Sequence, residues 1–207
     1  MNEYIKKPWL NELIRVEDPN PERVITTPEE TRLHRAERLT DFPETFFNNF
    51  IKSINQEDIR LYPEVKSLKK KIGMHFNVND ENILLFPGST VGIKTFMENF
   101  CIPEKHVILS KICFPLHFIF PQIENTNIKY IDHDIVESND VMLKMKINLQ
   151  NLLDSIDENI CCVCIANPNS PIGDVLTLDE LELILTKTSL HNIPVLIDEA
   201  YIEFSNA

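Results

Sequence analysis

Glycine is scarce in this sequence, four residues in 207. No Gly-x-Gly-x-x-Gly occurs, which argues against the dinucleotide-binding turn of a Rossmann dehydrogenase. Where glycine is this rare, placement reflects a backbone need, and Gly88 and Gly173 both fall in turns of the kind that build sites. Positive charge is short too. Twenty Lys and Arg face 32 Asp and Glu, for a formal net charge of -12. That balance argues against nucleic acid or an anionic membrane as a partner. No apolar run reaches the ~20 residues of a membrane span. Residues 1–10 lack the apolar core of a secretory signal, so the sequence predicts a cytoplasmic protein. The five cysteines are odd in number and follow no framework spacing. Cys161, Cys162 and Cys164 read as small hydrophobes of a buried strand, and no metal site is expected.

What is present is concentrated in residues 160–204. The run Ile160-Cys161-Cys162-Val163-Cys164-Ile165 is short and apolar enough to be a buried strand. Asn167-Pro168-Asn169-Ser170-Pro171-Ile172-Gly173 follows, dense in turn residues and unable to form helix or central strand. Thr177-Leu178-Asp179-Glu180 has the spacing of a capping box. The helix it starts is expected to carry Leu178, Leu181, Ile184 and Leu185 on one face. After Pro194, Val195-Leu196-Ile197 reads as a second buried strand running into Asp198-Glu199-Ala200-Tyr201. Strand, helix and strand form a crossover, so the strands should be parallel and the connection right-handed. Ligands of such sheets sit beyond the carboxyl ends of the strands, and both polar clusters fall there.

These two clusters carry a resemblance. Asn-Pro-Asn-Ser-Pro-Ile-Gly is similar to the pattern Asn-Pro-Asn-Asn-Pro-Thr-Gly, and Asp-Glu-Ala-Tyr stands intact a helix and a strand later. The chain thus resembles the pyridoxal-phosphate (PLP) aminotransferases of fold type I, within them the histidinol-phosphate aminotransferase-like group. The resemblance implies an α/β fold, a mixed, mostly parallel sheet with helices on both faces, working as a homodimer. It implies that Asp198 partners the pyridine nitrogen of PLP and that Tyr201 bonds the ring hydroxyl oxygen. Ser170 stands where the family has a second Asn on that oxygen. A hydroxyl still donates there, but it is shorter than an amide.

The rest of the chain is read around this core. Residues 1–45 are polar and proline-spaced, an N-terminal arm, and residues 46–207 form the PLP-binding large domain. In the arm, Arg35-Ala36-Glu37-Arg38 is the nearest match to a family segment Asn-Glu-x-Pro, with Ala36 in place of the Asn. Phe46, Phe47, Phe50 and Ile54 have helical spacing. Tyr62-Pro63 resembles the family element whose tyrosine reaches the cofactor phosphate of the other subunit. Residues 65–76 read as another helix, with a basic run. Residues 83–86 read as a short strand. Pro87-Gly88-Ser89-Thr90 then opens a helix expected to pack Ile93, Phe96, Met97 and Phe100 inward. A turn of this kind presents free backbone N–H groups and two hydroxyls at the positive end of a helix dipole, which suits a phosphate. By resemblance Ser89 and Thr90 bind the PLP phosphate. Residues 107–110 read as a strand, and Phe114 beyond it matches the aromatic that stacks on the ring. Ser110-Lys111 imitates the pair that carries the covalent lysine, but it precedes the aromatic and is a decoy. Residues 129–132 read as a strand and residues 132–146 as a polar surface excursion. Leu149, Leu152, Leu153 and Ile156 suit a short amphipathic helix.

The family's covalent lysine and its carboxylate-gripping arginine lie beyond Asp-Glu-Ala-Tyr, and no residue here matches either. The sequence therefore predicts an N-terminal part of an enzyme, inactive by itself. The activity implied is transfer of an amino group from an amino acid to a keto or aldehyde acceptor. Two alternatives stay open, a PLP-dependent decarboxylase of an amino-acid phosphate and an inactive truncated remnant.

Overall fold

The computed structural model describes residue 38, residues 40–139 and residues 142–205. They fall into two compact units, with the boundary in sequence between Leu85 and Phe86. Arg35, Ala36 and Glu37 of the arm lie outside the described residues.

The first unit is helical: α1 (Glu44–Ser53), α2 (Gln56–Arg60) and α3 (Lys66–Phe76). Asn55 and Asp58 close α2 in a reciprocal capping box, with Asn55 Oδ1 taking the Asp58 N–H at 3.1 Å and Asp58 Oδ2 taking the Asn55 N–H at 2.9 Å. Helix α1 forms as its spacing predicts, but none of its residues is buried. The expected strand over residues 83–86 is absent. A 3-10 turn (Asp80–Asn82) leads into it, and the segment joins neither sheet among the described residues. An apolar run of four makes a strand only when a ladder partner satisfies its backbone.

The second unit holds a four-stranded sheet of β1 (His106–Ser110), β2 (Asn127–Ile131), β5 (Ile160–Ala166) and β6 (Val195–Asp198), ordered β2-β1-β5-β6. All three pairings are parallel. The antiparallel component expected of the sheet is a separate ribbon of β3 (His133–Ser138) and β4 (Leu143–Ile147). That ribbon occupies the stretch read as a loose excursion. Its residues are mostly exposed, as their polarity requires, yet backbone pairing orders them.

Alternation along the strands assigns the two faces. Val107, Leu109, Cys162 and Cys164 pack with Ile93 and Met97 of α4 (Ser89–Phe100) and with Phe118 and Phe120 of α5 (Pro115–Ile123). Ile108, Val163 and Ile165 pack on the other side with Leu152 of α6 (Leu149–Asp154) and Ile184 of α7 (Leu178–Ser189). One irregularity breaks the alternation. The register between β1 and β5 shifts at His106/Val107, so Cys161 is an extra residue, and its sulfur lies 4.0 Å from that of Cys162 in the same cluster. The three strand cysteines are buried and free, as their reading as small hydrophobes expects.

Three packing details differ from the sequence reading. On α7, Leu178 is 81% and Leu185 45% exposed, and the buried positions are Ile184 and Thr188. On α4, Phe100 is exposed and leans on Phe96 instead of the core. Strand β6 is half-buried, because among the described residues it has a neighbour on one side only. Helical spacing fixes which side chains share a face, whereas burial depends on what covers that face.

The capping box of α7 is present in full. Thr177 Oγ1 accepts the Glu180 N–H at 3.3 Å, and Glu180 Oε2 accepts the Thr177 N–H at 2.8 Å. Thr177→Ala should cost about 1 kcal/mol. Urea unfolding should show it as a lower midpoint at unchanged slope.

Candidate active site

Asp198 ends β6, where the backbone leaves the sheet. Its side chain is only 9% exposed. One oxygen, Oδ2, lies 3.0 Å from Nε2 of His117, and the other accepts the Ala200 N–H at 3.1 Å. Burial is the largest single influence on this carboxyl and pushes its pKa up. The hydrogen bond and charge of His117, with the Ala200 N–H, outweigh it and hold the pKa below the ordinary 3.8. Asp198 is therefore ionised at neutral pH in a desolvated place, a carboxylate built to face a cation or a polar proton.

His117 is the residue that sequence reasoning missed. It sits on α5 and is 1% exposed. Pro115 occupies the first turn of α5, where its missing N–H costs nothing, and fixes how the helix starts. His117 then follows one turn after Phe114, which caps the helix and receives the His117 backbone N–H at 3.0 Å. The two rings stand edge to face, with centroids 5.8 Å apart at 85°. Phe114, His117 and Asp198 thus form one continuous line of contacts, with Phe114 half-buried at its outer end. The available signal was a lone His inside the apolar run Phe114-Pro115-Leu116-His117-Phe118-Ile119-Phe120.

Helix α4 packs on the same face of the sheet as α5. Gly88 precedes it at φ 90°, a conformation open to glycine at little cost. No side chain caps α4, and Ser89 and Thr90 are exposed in its first turn. Its first N–H groups thus have no side-chain cap. The helix opens at Ser89, directly after the Pro-Gly turn.

After β5, the Asn-Pro segment is held at several points. The Asn167 side chain clasps Leu176, accepting its N–H at 2.8 Å, and the Asn167 N–H reaches the Asp198 carbonyl at 2.9 Å. The loop around Ser170 is thereby tied directly to the strand that carries Asp198. Gly173, at φ 73°, closes the turn by donating to the Asn169 carbonyl at 2.7 Å. Ser170 is half-buried, and Tyr201 opens a short 3-10 turn (Ile202–Phe204) at 38% exposure. Neither hydrogen-bonds Asp198 among the described residues. Tyr62 lies in the first unit, in the stretch between α2 and α3, fully exposed. Lys111, read as a decoy, pairs with Asp132 at 2.6 Å, both exposed.

A cavity of about 750 Å³ opens near this site, lined by Leu176, Leu178, Leu181, Glu199 and Ile202. It shares Asn167 with the loop but neither Asp198 nor Phe114, so it lies apart from the charged cluster. Among the described residues no group of three or more His, Cys, Asp and Glu is arranged to hold a metal ion. No helix among them is long and apolar enough to cross a membrane.

Together, fold and cluster define an α/β protein with a buried carboxylate at the carboxyl end of a parallel strand. Comparison with known proteins gives the family. Residues 40–207 match the family described as aminotransferase class I and II, and the chain belongs to it. A histidinol-phosphate aminotransferase of Staphylococcus haemolyticus is 33% identical over 157 residues, covering 73% of this chain and 41% of that protein. One of Brachyspira hyodysenteriae is 32% identical over 169 residues, covering 79% and 43%. The chain therefore spans about two fifths of the length of the curated relatives it matches. Among solved structures, the alanine aminotransferase of Pyrococcus furiosus aligns with TM-score 0.64 at 17% identity, covering 76% of this chain and 40% of that one. Cystalysin of Treponema denticola, which contains a pyridoxal 5'-phosphate cofactor, aligns with TM-score 0.59 at 18% identity, covering 73% and 38%. Both likenesses concern the fold.

Proposed function

We propose that the protein carrying this chain moves an amino group from an amino acid to a keto or aldehyde acceptor, using PLP. The observation that supports it is the Asp198 carboxylate, buried, ionised and braced by His117 at 3.0 Å. The residues present fit the cofactor. Asp198 would hold a proton on the pyridine nitrogen, and His117 keeps the carboxylate charged and aimed. Phe114 would cover one face of the ring. Ser89, Thr90 and the N–H groups of α4 would bind the phosphate, whose charge suits a helix N-terminus. Ser170 and Tyr201 would donate to the ring oxygen. When bound, PLP acts as an electron sink for the substrate's α-carbon. The covalent lysine and the arginine for the substrate carboxylate are assigned to no residue of this chain.

The relatives are histidinol-phosphate aminotransferases, which favours amino transfer over decarboxylation. Purified protein given PLP, a nitrogen-labelled amino acid and a 2-oxo acid should yield labelled amino product. Release of carbon dioxide without labelled product would overturn the reading. We also propose a homodimer in which Tyr62 serves the neighbouring subunit's phosphate. Sedimentation at twice the chain mass is expected, and a monomer that is fully active would refute it.

Ser170→Asn, which restores the residue of the related pattern, should be tolerated. It exchanges one neutral donor for another, worth about 0.5–1.5 kcal/mol. A shift of that size in the pH titration of the bound cofactor's absorption is the expected result. Loss of PLP binding would show that Ser170 is packed for another purpose.

A further inference from the structure

Ser110 ends β1, 2% exposed, and none of the roles above uses it. Its hydroxyl nevertheless meets three different segments. It donates to the Ile112 carbonyl at 3.0 Å, in the turn that leads to Phe114. It accepts from Asn169 Nδ2 at 3.2 Å, one residue before Ser170. It lies 2.8 Å from Nε2 of His133, the first residue of β3.

A serine hydroxyl has one hydrogen and two lone pairs. The Ile112 carbonyl accepts the hydrogen, and the Asn169 amide fills one lone pair. His133 Nε2 holds the hydroxyl from the third side, its donor or acceptor role set by its tautomer. Burial is the largest influence on His133 and lowers its pKa from 6.5, against the opposing pull of Asp174, Asp132 and Asp134. It is thus an uncharged hydrogen-bond partner at neutral pH. The Asn169 amide also donates to the Ile112 carbonyl, at 3.0 Å. Flipping that amide would aim its oxygen at another carbonyl oxygen, so its orientation is set even though Asn169 Oδ1 is buried without a partner. A second tether runs beside the first. The Asn169 N–H reaches the Asp174 carbonyl at 2.7 Å, and Asp174 Oδ2 accepts the Ile147 N–H at 2.7 Å, at the end of β4. Both tethers meet the ribbon at one end, where His133 pairs with Ile147.

We infer that Ser110 is a positioning residue: through Ile112 and Asn169 its hydroxyl fixes the spacing between Phe114 and Ser170, and His133 of the β3–β4 ribbon locks that hydroxyl in place. This rests on the proposed PLP site, where Phe114 and Ser170 meet the ring face and the ring oxygen. The ribbon would thereby brace the two segments that carry Phe114 and Ser170.

The test uses the whole PLP-loaded protein and reads the pH titration of the cofactor's visible absorption, PLP affinity and thermal midpoint. Ser110→Ala is nearly isosteric, so the fold should persist. It should weaken PLP by roughly tenfold, the scale of one buried hydrogen bond, and displace the titration midpoint. His133→Phe should do the same. His133→Gln, whose amide nitrogen can stand where Nε2 stood, should keep the parent midpoint. A Ser110→Ala variant that lowers only the thermal midpoint, with cofactor titration and affinity unchanged, overturns the inference. So does a Gln variant that behaves like the Phe variant. A parent protein that binds no PLP would instead fail before any variant is compared, overturning the site reading together with this one.

Discussion

Asp198→Asn should fold, bind PLP and lose roughly two to four powers of ten in the rate of a single half-reaction. The substitution keeps the shape and removes the charge. In the parent, one carboxylate oxygen is braced by His117 at 3.0 Å and the other by the Ala200 N–H at 3.1 Å. Both bonds hold the anion, and only an anion keeps a proton on a weakly basic ring nitrogen. Breaking a buried charge pair costs about 3–5 kcal/mol, and all of it falls on the step where negative charge spreads into the ring. A purely structural Asp198, capping the turn through Ala200, would behave differently. Its loss would cost about 1 kcal/mol of stability and spare the chemistry. Rapid-mixing measurement of one half-reaction separates the two. A variant within about tenfold of the parent would remove Asp198 from the role.

The second large effect belongs to His117. His117→Leu keeps an apolar volume on α5 but leaves the Asp198 carboxylate buried with the Ala200 N–H alone. At neutral pH this should cost about 3–5 kcal/mol of folding stability. The pH dependence distinguishes the cause. In the parent the folded pKa of Asp198 lies below its ordinary 3.8. Its contribution is therefore complete above that value and is lost as pH falls through the lower, folded pKa. In the variant burial acts without its counterweight, and the folded pKa should move above the ordinary value. Acid near pH 4 then relieves the variant, while the parent keeps most of its contribution. Urea unfolding at about pH 7 and about pH 4 should show the gap between them narrowing. A gap that stays constant would mean that His117 serves packing alone.

These residues also show where sequence reading stops. Strand β5, the capping box of α7 and the end of β6 were legible because each is a local pattern with one physical interpretation. Asp198 was legible for the same reason, as a charge placed directly after a buried apolar run. His117 was not, because its meaning depends on a residue 81 positions away. Helix α5 escaped as well. It carries a proline at its start and Pro121 inside, so propensity argues against a helix that packing nonetheless sustains. The β3–β4 ribbon looked like a loop because it is polar on most of its surface, and pairing rather than burial orders it. Ser110 gave only a misleading signal, its place before Lys111. A serine at a strand end is unremarkable until Asn169 and His133 arrive from opposite directions. The reverse error occurred at residues 83–86, where an apolar run suggested a strand that has no partner among the described residues.

The bulge at Cys161 has a consequence in time. It pins β5 to β1 at a sequence separation of 55, and β5 is the strand on which both faces of the sheet depend. Loop-closure entropy makes such a pairing a late event, after α4, α5 and α6 have had every chance to form locally. Until it closes, a seven-residue apolar segment with three thiols waits in water, unpaired at both edges. Newly made chains should therefore be most open to aggregation and thiol oxidation in this interval. Rapid-quench labelling of cysteines during refolding should find Cys162 and Cys164 reactive long after the helices have formed.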